Sequence, residues 1–405
     1  MTHTATPPPP ADVYDEKTTV IVVDVPGTAN PVVESSEFAY RRTNIVGIND
    51  SGVRLAAKHI LDKMRRETYT PRTWRTHPLH LCPVEPYSPT APSTKACLDW
   101  IFLISALNFS FWSEKEDGSR YGVRWYESWE GSEKTRIWTG YWSLVAALDR
   151  ALQESIPITD PQFYASETLC PDSLIEHVFR PAEGCTENVP LLAQRIAIMR
   201  EVGFILCRAF GGSYQGLLDG FQREHDGKGT ALQLVQKVVD TFPSFRDEVF
   251  FEGRRVCVWK RAQILVAETW AAFFPAPPIT SHPLFPKEPA IHQLTMFADY
   301  RVPQILHHLR ILTYPPSLIA KLHAGTLLAP GSAEELSLRA ASVVAVEQVR
   351  KEMQLLANDD TQVSSVLIDF YLWDLAKRVE RGEERIEGIE TAEMVPTHRT
   401  RSIWY

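Results

Sequence analysis

Apolar residues recur at spacings of three and four along most of the chain, the pattern of helices that bury one stripe. The repeat is clear in "GVRLAAKHILDKMRRE", where Asp50 or Ser51 can act as the cap, and in "YWSLVAALDRALQE", "LLAQRIAIMREVGFILCRAF" and "GTALQLVQKVVDTF". Further helices are expected in "WKRAQILVAETWAAFF", "VPQILHHLRIL", "PSLIAKL", "SAEELSLRAASVVAVEQVRKEM" and "VSSVLIDFYLWDLAKRVER", separated by Pro and Gly. Between Arg120 and Trp138 the period falls to two around "WEGSEKT", which predicts a short hairpin. The expectation is a mainly α fold, a compact helical domain over residues 36–405 with a small β-hairpin insertion. Residues 1–35, which include the Pro7–Pro10 run, read as a disordered extension, with "TVIVVDV" as a possible strand inside it.

Composition narrows the function. Of 405 residues, 44% are hydrophobic and 23% charged, enough for a sizeable core. The formal net charge of -8 argues against a broad grip on phosphate backbone, so no direct nucleic-acid partner is expected. The six cysteines are scattered without a C-x-x-C pair, which suggests reduced thiols rather than zinc or a disulfide framework. "MTHTATPPPP" lacks the basic and apolar regions of a secretory signal, and "CLDWIFLISALNFSFW" is too short, and too interrupted by Asp99 and Asn108, to span a bilayer. A soluble, cytoplasmic, monomeric protein is expected, with no membrane partner. No Gly-rich phosphate loop, H-E-x-x-H or G-x-S-x-G occurs, and no metal or organic cofactor is expected.

Candidate chemistry lies where polar residues interrupt apolar patterns. On the helix following Trp259, Arg261 and Glu268 share a ridge that reads as the solvent face, whereas Lys260 aligns with Ile264, Ala267 and Ala271. That lysine either snorkels past the core edge or reaches into a pocket. Asp374 falls in the centre of a stripe made by Val363, Val366, Leu367 and Phe370, and Ile368 and Leu372 occupy the far side. Asp369 and Asp374 are therefore candidates for a lined cavity, or Asp374 makes a structural ion pair with Lys377 or Arg378. In "TMFADYRVPQIL", Asp299 ends an apolar run just before a helix that Pro303 helps to start. It is either a cap or a carboxylate kept charged at the helix N-terminus to face a cationic transition state. The aromatic groups "NFSFW", "WTGYWS" and "FYLW" serve the core or sandwich a planar heterocycle. "HRTRSIWY" is expected to dock, with His398, Arg399 and Arg401 meeting a phosphate or offsetting the acidic "ERGEERIEGIE".

Taken together, "LNFSFWSE", "GYWSLVAALDRAL", "IPITDPQFYA", "FPSFRDE", "FEGRRVCVWKRAQILVAETW", "TMFADYRVPQIL", "DFYLWDLA" and "HRTRSIWY" resemble the queuosine salvage proteins, the queuosine 5′-phosphate N-glycosylase/hydrolase family. The similarity runs from about Ser35 to Tyr405 in the family's order. It implies a helical enzyme related in fold to helix-hairpin-helix DNA glycosylases, which hydrolyses queuosine 5′-monophosphate to queuine and ribose 5-phosphate for salvage into tRNA. It also implies that Asp299 of the F-A-D-Y-R motif is the catalytic carboxylate, acting by electrostatic stabilisation of the ribosyl cation, as a nucleophile or by activating water, and that the family lysine falls on Lys260. For such a substrate, Phe111, Trp112, Tyr371 and Trp373 could stack on the base, and Asp369 or Asp374 could meet its exocyclic ammonium and diol. Lys260, Arg301, Arg399 and Arg401 are the phosphate candidates, and Tyr300 stands beside the carboxylate.

Overall fold

The computed structural model describes residues 30–115, 117–129, 134–279, 281–285, 290–357 and 363–405. Every stretch read as helical above forms a helix, and strands occur only as three antiparallel pairs among the described residues, so the fold is mainly α. The candidate strand "TVIVVDV" and the Pro-rich run lie outside the described residues. Helical structure starts earlier than its patterning suggests, at Pro31. There the Asn30 side chain accepts from Val32 N at 2.9 Å and proline fills the first position, where no N–H is needed. Helix Asp50–Arg66 is capped by neither Asp50 nor Ser51 but by Asn49, whose Oδ1 accepts from Ser51 N at 3.2 Å. Asp50 instead places its charge in the first turn, where the helix dipole favours it.

Helix Lys260–Ala272 lies at the centre, with all of its side chains buried. It packs against the 3₁₀ segment Pro71–Thr76 and helices Pro92–Ala106 and Ala231–Thr241. The ridge read as solvent-facing is therefore enclosed, and Arg261 and Glu268 are only 1% and 7% exposed. Arg261 satisfies its guanidinium with the carbonyls of Ala106 and Ser244 and lies 5.1 Å from the ring centres of both Phe109 and Phe245. Helix Ala333–Ala357 forms a second axis, flanked by Pro31–Thr43, Asp50–Arg66 and Ser365–Glu380. One large apolar core draws on residues from Val32 to Val395, and a smaller cluster of Ala39, Val256, Leu336 and Ala340 stands apart from it.

Two hairpins aim side chains at one region. Gly122–Tyr126 pairs with Thr135–Thr139 as expected, although residues 130–133 of its turn lie outside the described set. Gly140 (φ +64°, ψ −143°) then turns the chain into helix Tyr141–Gln153, which presents Tyr141 and Trp142 at its start. The second hairpin, Glu248–Phe251 with Arg254–Cys257, was not anticipated from the sequence. Glu252 and Gly253 both take positive φ, as a tight two-residue turn requires, and the hairpin returns the chain to Trp259 and Lys260. No helix among the described residues is long and apolar enough to cross a membrane.

Candidate active site

A cavity of about 290 Å³ opens beside the central helix. Lys260, Ile264 and Glu268, at four-residue intervals, form one wall, and Phe297 to Arg301 and helix Ser365–Glu380 supply others. Of the residues anticipated from sequence, Lys260, Asp299, Phe111, Tyr300, Arg301, Asp369, Trp373 and Asp374 line it.

Asp299 is 9% exposed. Its Oδ1 accepts from Arg301 N at 2.7 Å and Val302 N at 2.8 Å, at the start of helix Val302–His308. It thus performs the capping role while also lining the cavity, and neither of these bonds uses Oδ2. Lys260 reaches inward rather than snorkelling, and Nζ donates to Asn108 O at 3.0 Å and to Asn108 Oδ1 at 3.1 Å. Burial pulls its ammonium down to about 8, while the charge of Asp299 acts in the opposite direction.

A buried ion pair ties these two residues together. Asp247 Oδ2 accepts from Lys260 N at 3.2 Å and from Arg339 Nη2 at 2.5 Å, and Oδ1 accepts from Arg339 Nη1 at 3.0 Å. Arg339 Nε donates to Ala298 O at 3.0 Å, immediately before Asp299. One carboxylate–guanidinium fork therefore braces both the helix that carries Lys260 and the loop that carries Asp299. Asp247→Ala would leave the buried Arg339 guanidinium with only Glu335, at 3.5 Å, as a carboxylate partner, and a urea melt is expected to show a loss of about 3 kcal/mol.

Asp369 lies close enough to feel both charges, and its Oδ1 accepts from Phe297 N at 2.9 Å. Burial first, and then the like charge of Asp299, push its carboxyl well above the usual range, which favours the protonated form. Asp374 does not make the anticipated pair with Lys377 or Arg378. Its Oδ2 accepts from Tyr69 at 2.7 Å, Lys377 pairs with Glu380, and Arg378 pairs with Glu67 and Glu384. Arg301 also grips Glu380, at 3.0 and 3.3 Å, which brings two cations to one edge of the cavity. Burial, reinforced by the charge of Arg301, pulls Lys377 down to about 8.

Four anticipated residues lie outside this wall. Tyr371 is fully buried and packs edge-on against Tyr69 at 5.2 Å. Trp112 donates through Nε1 to Thr400 O at 2.8 Å. Arg401 stacks on its ring at 3.4 Å and donates to Trp112 O at 3.0 Å, and Arg399 lies 5.7 Å from the same ring. The segment that carries these bases docks as expected. Ser110 N donates to Tyr405 O at 2.9 Å, His398 Nε2 lies 3.1 Å from the Tyr405 hydroxyl, and Tyr405 joins the cavity wall.

Sequence reading missed the stretch from Tyr69 to His80, which closes one side. His77 stacks on Trp142 at 3.4 Å and 6°, and His80 stacks on Trp74 at 3.9 Å. Burial pulls these imidazoles down to about 2 and about 4, so both act as neutral flat rings. A more open cavity shares His77, Trp142, Asp374 and Lys377 with the first and adds Glu67, Arg136, Arg378 and Arg381, so its lining carries more cations than carboxylates although Arg378 is already paired. Among the described residues, no cluster of three or more His, Cys, Asp or Glu is placed to hold a metal ion. A pinned carboxylate, a buried ammonium, a carboxyl biased toward protonation and flat ring surfaces together suit a planar, partly anionic ligand that develops positive charge as it reacts.

Known proteins resemble the chain over most of its length. Residues 87–405 match the family model described as "Queuosine salvage protein". A protein of Schizosaccharomyces pombe named queuosine 5′-phosphate N-glycosylase/hydrolase is 38% identical over 379 residues, covering 92% of this chain and 99% of its own length. Relatives with the same name in Mus musculus (36% over 380 residues; 92% and 98%) and Sphaerobacter thermophilus (33% over 350 residues; 86% and 91%) are similar across nearly their whole lengths. The chain belongs to the queuosine salvage protein family.

Proposed function

We propose that this chain hydrolyses the N-glycosidic bond of queuosine 5′-phosphate, releasing queuine and ribose 5-phosphate, and acts on the free nucleotide rather than on nucleic acid. The observation that carries this reading is Asp299, held at the cavity wall by two N–H groups on Oδ1. Cleavage builds positive charge at C1′, and a fixed carboxylate stabilises that charge without reorganising. The leaving group is a 7-deazaguanine, which has no basic N7 to protonate, so departure depends heavily on stabilising the sugar cation. Lys260 orients this end of the cavity. Asp369, whose carboxyl is biased toward its protonated form, is suited to donate a proton toward the departing base or a hydroxyl rather than to pair with an ammonium. The deazapurine lies among Phe111, Tyr141 and Trp373.

Arg301 and Lys377 take the 5′-phosphate, and the more open cavity, with more cations than carboxylates, favours an anionic ligand. Lys377→Ala is expected to raise KM for queuosine 5′-monophosphate about tenfold, the size of one charged hydrogen bond, and to leave KM for the dephosphorylated nucleoside unchanged. The main test is single-turnover release of queuine from queuosine 5′-monophosphate by the native chain. Tight binding without release would replace the enzyme reading with that of a nucleotide-binding protein.

A further inference from the structure

Glu268 is a carboxylate that the proposed chemistry leaves unused. It is 7% exposed and lines the cavity. Its Oε2 has no hydrogen-bond partner, and its Oε1 has only the Tyr141 hydroxyl at 3.4 Å. A buried carboxylate met only by the Tyr141 hydroxyl and the nearby Trp74 indole is costly unless a ligand supplies further donors. It lies two helical turns beyond Lys260 on the same ridge, about 12 Å away along the axis at 1.5 Å per residue. The end marked by Lys260 and Asp299 is where C1′ would react. In a purine-type base the N1–C2 edge is the end farthest from the glycosidic nitrogen. In a guanine-type base that edge offers N1–H and the 2-amino group, a pair of donors that matches the two oxygens of a carboxylate.

Resting on the function proposed above, the geometry points to Glu268 as the specificity-determining residue that reads the N1–H and 2-amino edge of a 7-deazaguanine. Burial pushes its carboxyl up to about 7, with the Trp74 indole N–H, Tyr141 and Lys260 acting the other way, so two further N–H donors would favour the ionised form at neutral pH. The alternative partner, the exocyclic ammonium of the queuosine side chain, hangs from the five-membered ring, closer to the reacting end.

The test is equilibrium binding by calorimetry in chains carrying Asp299→Asn, which is expected to suppress hydrolysis and keep the Oδ1 contacts, with native and variant distinguished at position 268. Probes are 7-deazaguanosine, 7-deazainosine and 7-deazaadenosine 5′-monophosphates and queuosine 5′-monophosphate, measured with the native chain and Glu268→Gln. The native chain is expected to prefer 7-deazaguanosine over 7-deazaadenosine monophosphate by at least about 10³-fold, with 7-deazainosine between them. Glu268→Gln should shrink the first ratio below about tenfold and weaken 7-deazaguanosine and queuosine monophosphates equally. Equal native affinity for the three deazapurines would overturn the assignment whether or not the variant folds. A penalty confined to queuosine monophosphate would overturn it in favour of the ammonium. Failure of turnover by the chain that keeps Asp299, with the position-268 preference intact, would instead count against the proposed hydrolysis.

Discussion

Asp299→Asn is expected to slow single-turnover queuine release by about 10⁴-fold, the upper range for one electrostatic or acid–base group. That factor corresponds to about 5.5 kcal/mol of transition-state stabilisation. The substitution isolates charge from structure, because the asparagine Oδ1 can still accept from Arg301 N and Val302 N. Substrate affinity and melting temperature should therefore change little. A loss below tenfold would remove Asp299 from the chemistry. A large loss accompanied by unfolding would reduce it to a cap.

Lys260→Met is expected to lower kcat/KM by about 10²–10³-fold, as removal of one preorganised electrostatic group does. The melting temperature at pH 7 should nevertheless be maintained. The folded-state value of about 8 lies below the ordinary 10.5, so the folded protein gives up this proton before the unfolded chain does. The cost of burying the ammonium is fully present below pH 8, and stability rises between 8 and 10.5 as that cost is relieved. It is on the order of 3 kcal/mol. Methionine removes it but leaves the Asn108 acceptors unpaired, which costs about 1–3 kcal/mol, so the two effects largely offset. For the native chain, kcat/KM should fall as pH rises through about 8, where Lys260 and Lys377 both lose their protons, and the limb should be shallower in the variant, with only the Lys377 part left. A methionine variant with native activity would make the lysine structural.

Lys260 and Asp299 were legible because each breaks an apolar pattern, and only a specific demand places charge on such a face. Glu268 was not, because helical periodicity assigns one solvent face per helix, and this helix has none. The Tyr69–His80 wall is largely irregular and carries no period. The Glu248–Cys257 hairpin was hidden by adjacent Phe250 and Phe251, which blur alternation, although Glu252–Gly253 was a usable turn cue. Arg399 and Arg401 suggested an anion from composition alone. In the fold, Arg401 is occupied by the Trp112 ring and a carbonyl, and sequence could not supply those partners.

The cavity wall is drawn from stretches as distant as Tyr69, Asn108, Tyr141, Lys260, Asp299, Asp369 and Tyr405. No local segment can bind ligand by itself, so ligand recognises the native chain and not the unfolded one. Ligand present at a hundred times its dissociation constant should then act as a folding agent worth about 2.7 kcal/mol to the whole chain. Cellular supply of the nucleotide would thus set how much of the protein survives proteolysis as well as how fast it works, coupling abundance to demand through mass action alone.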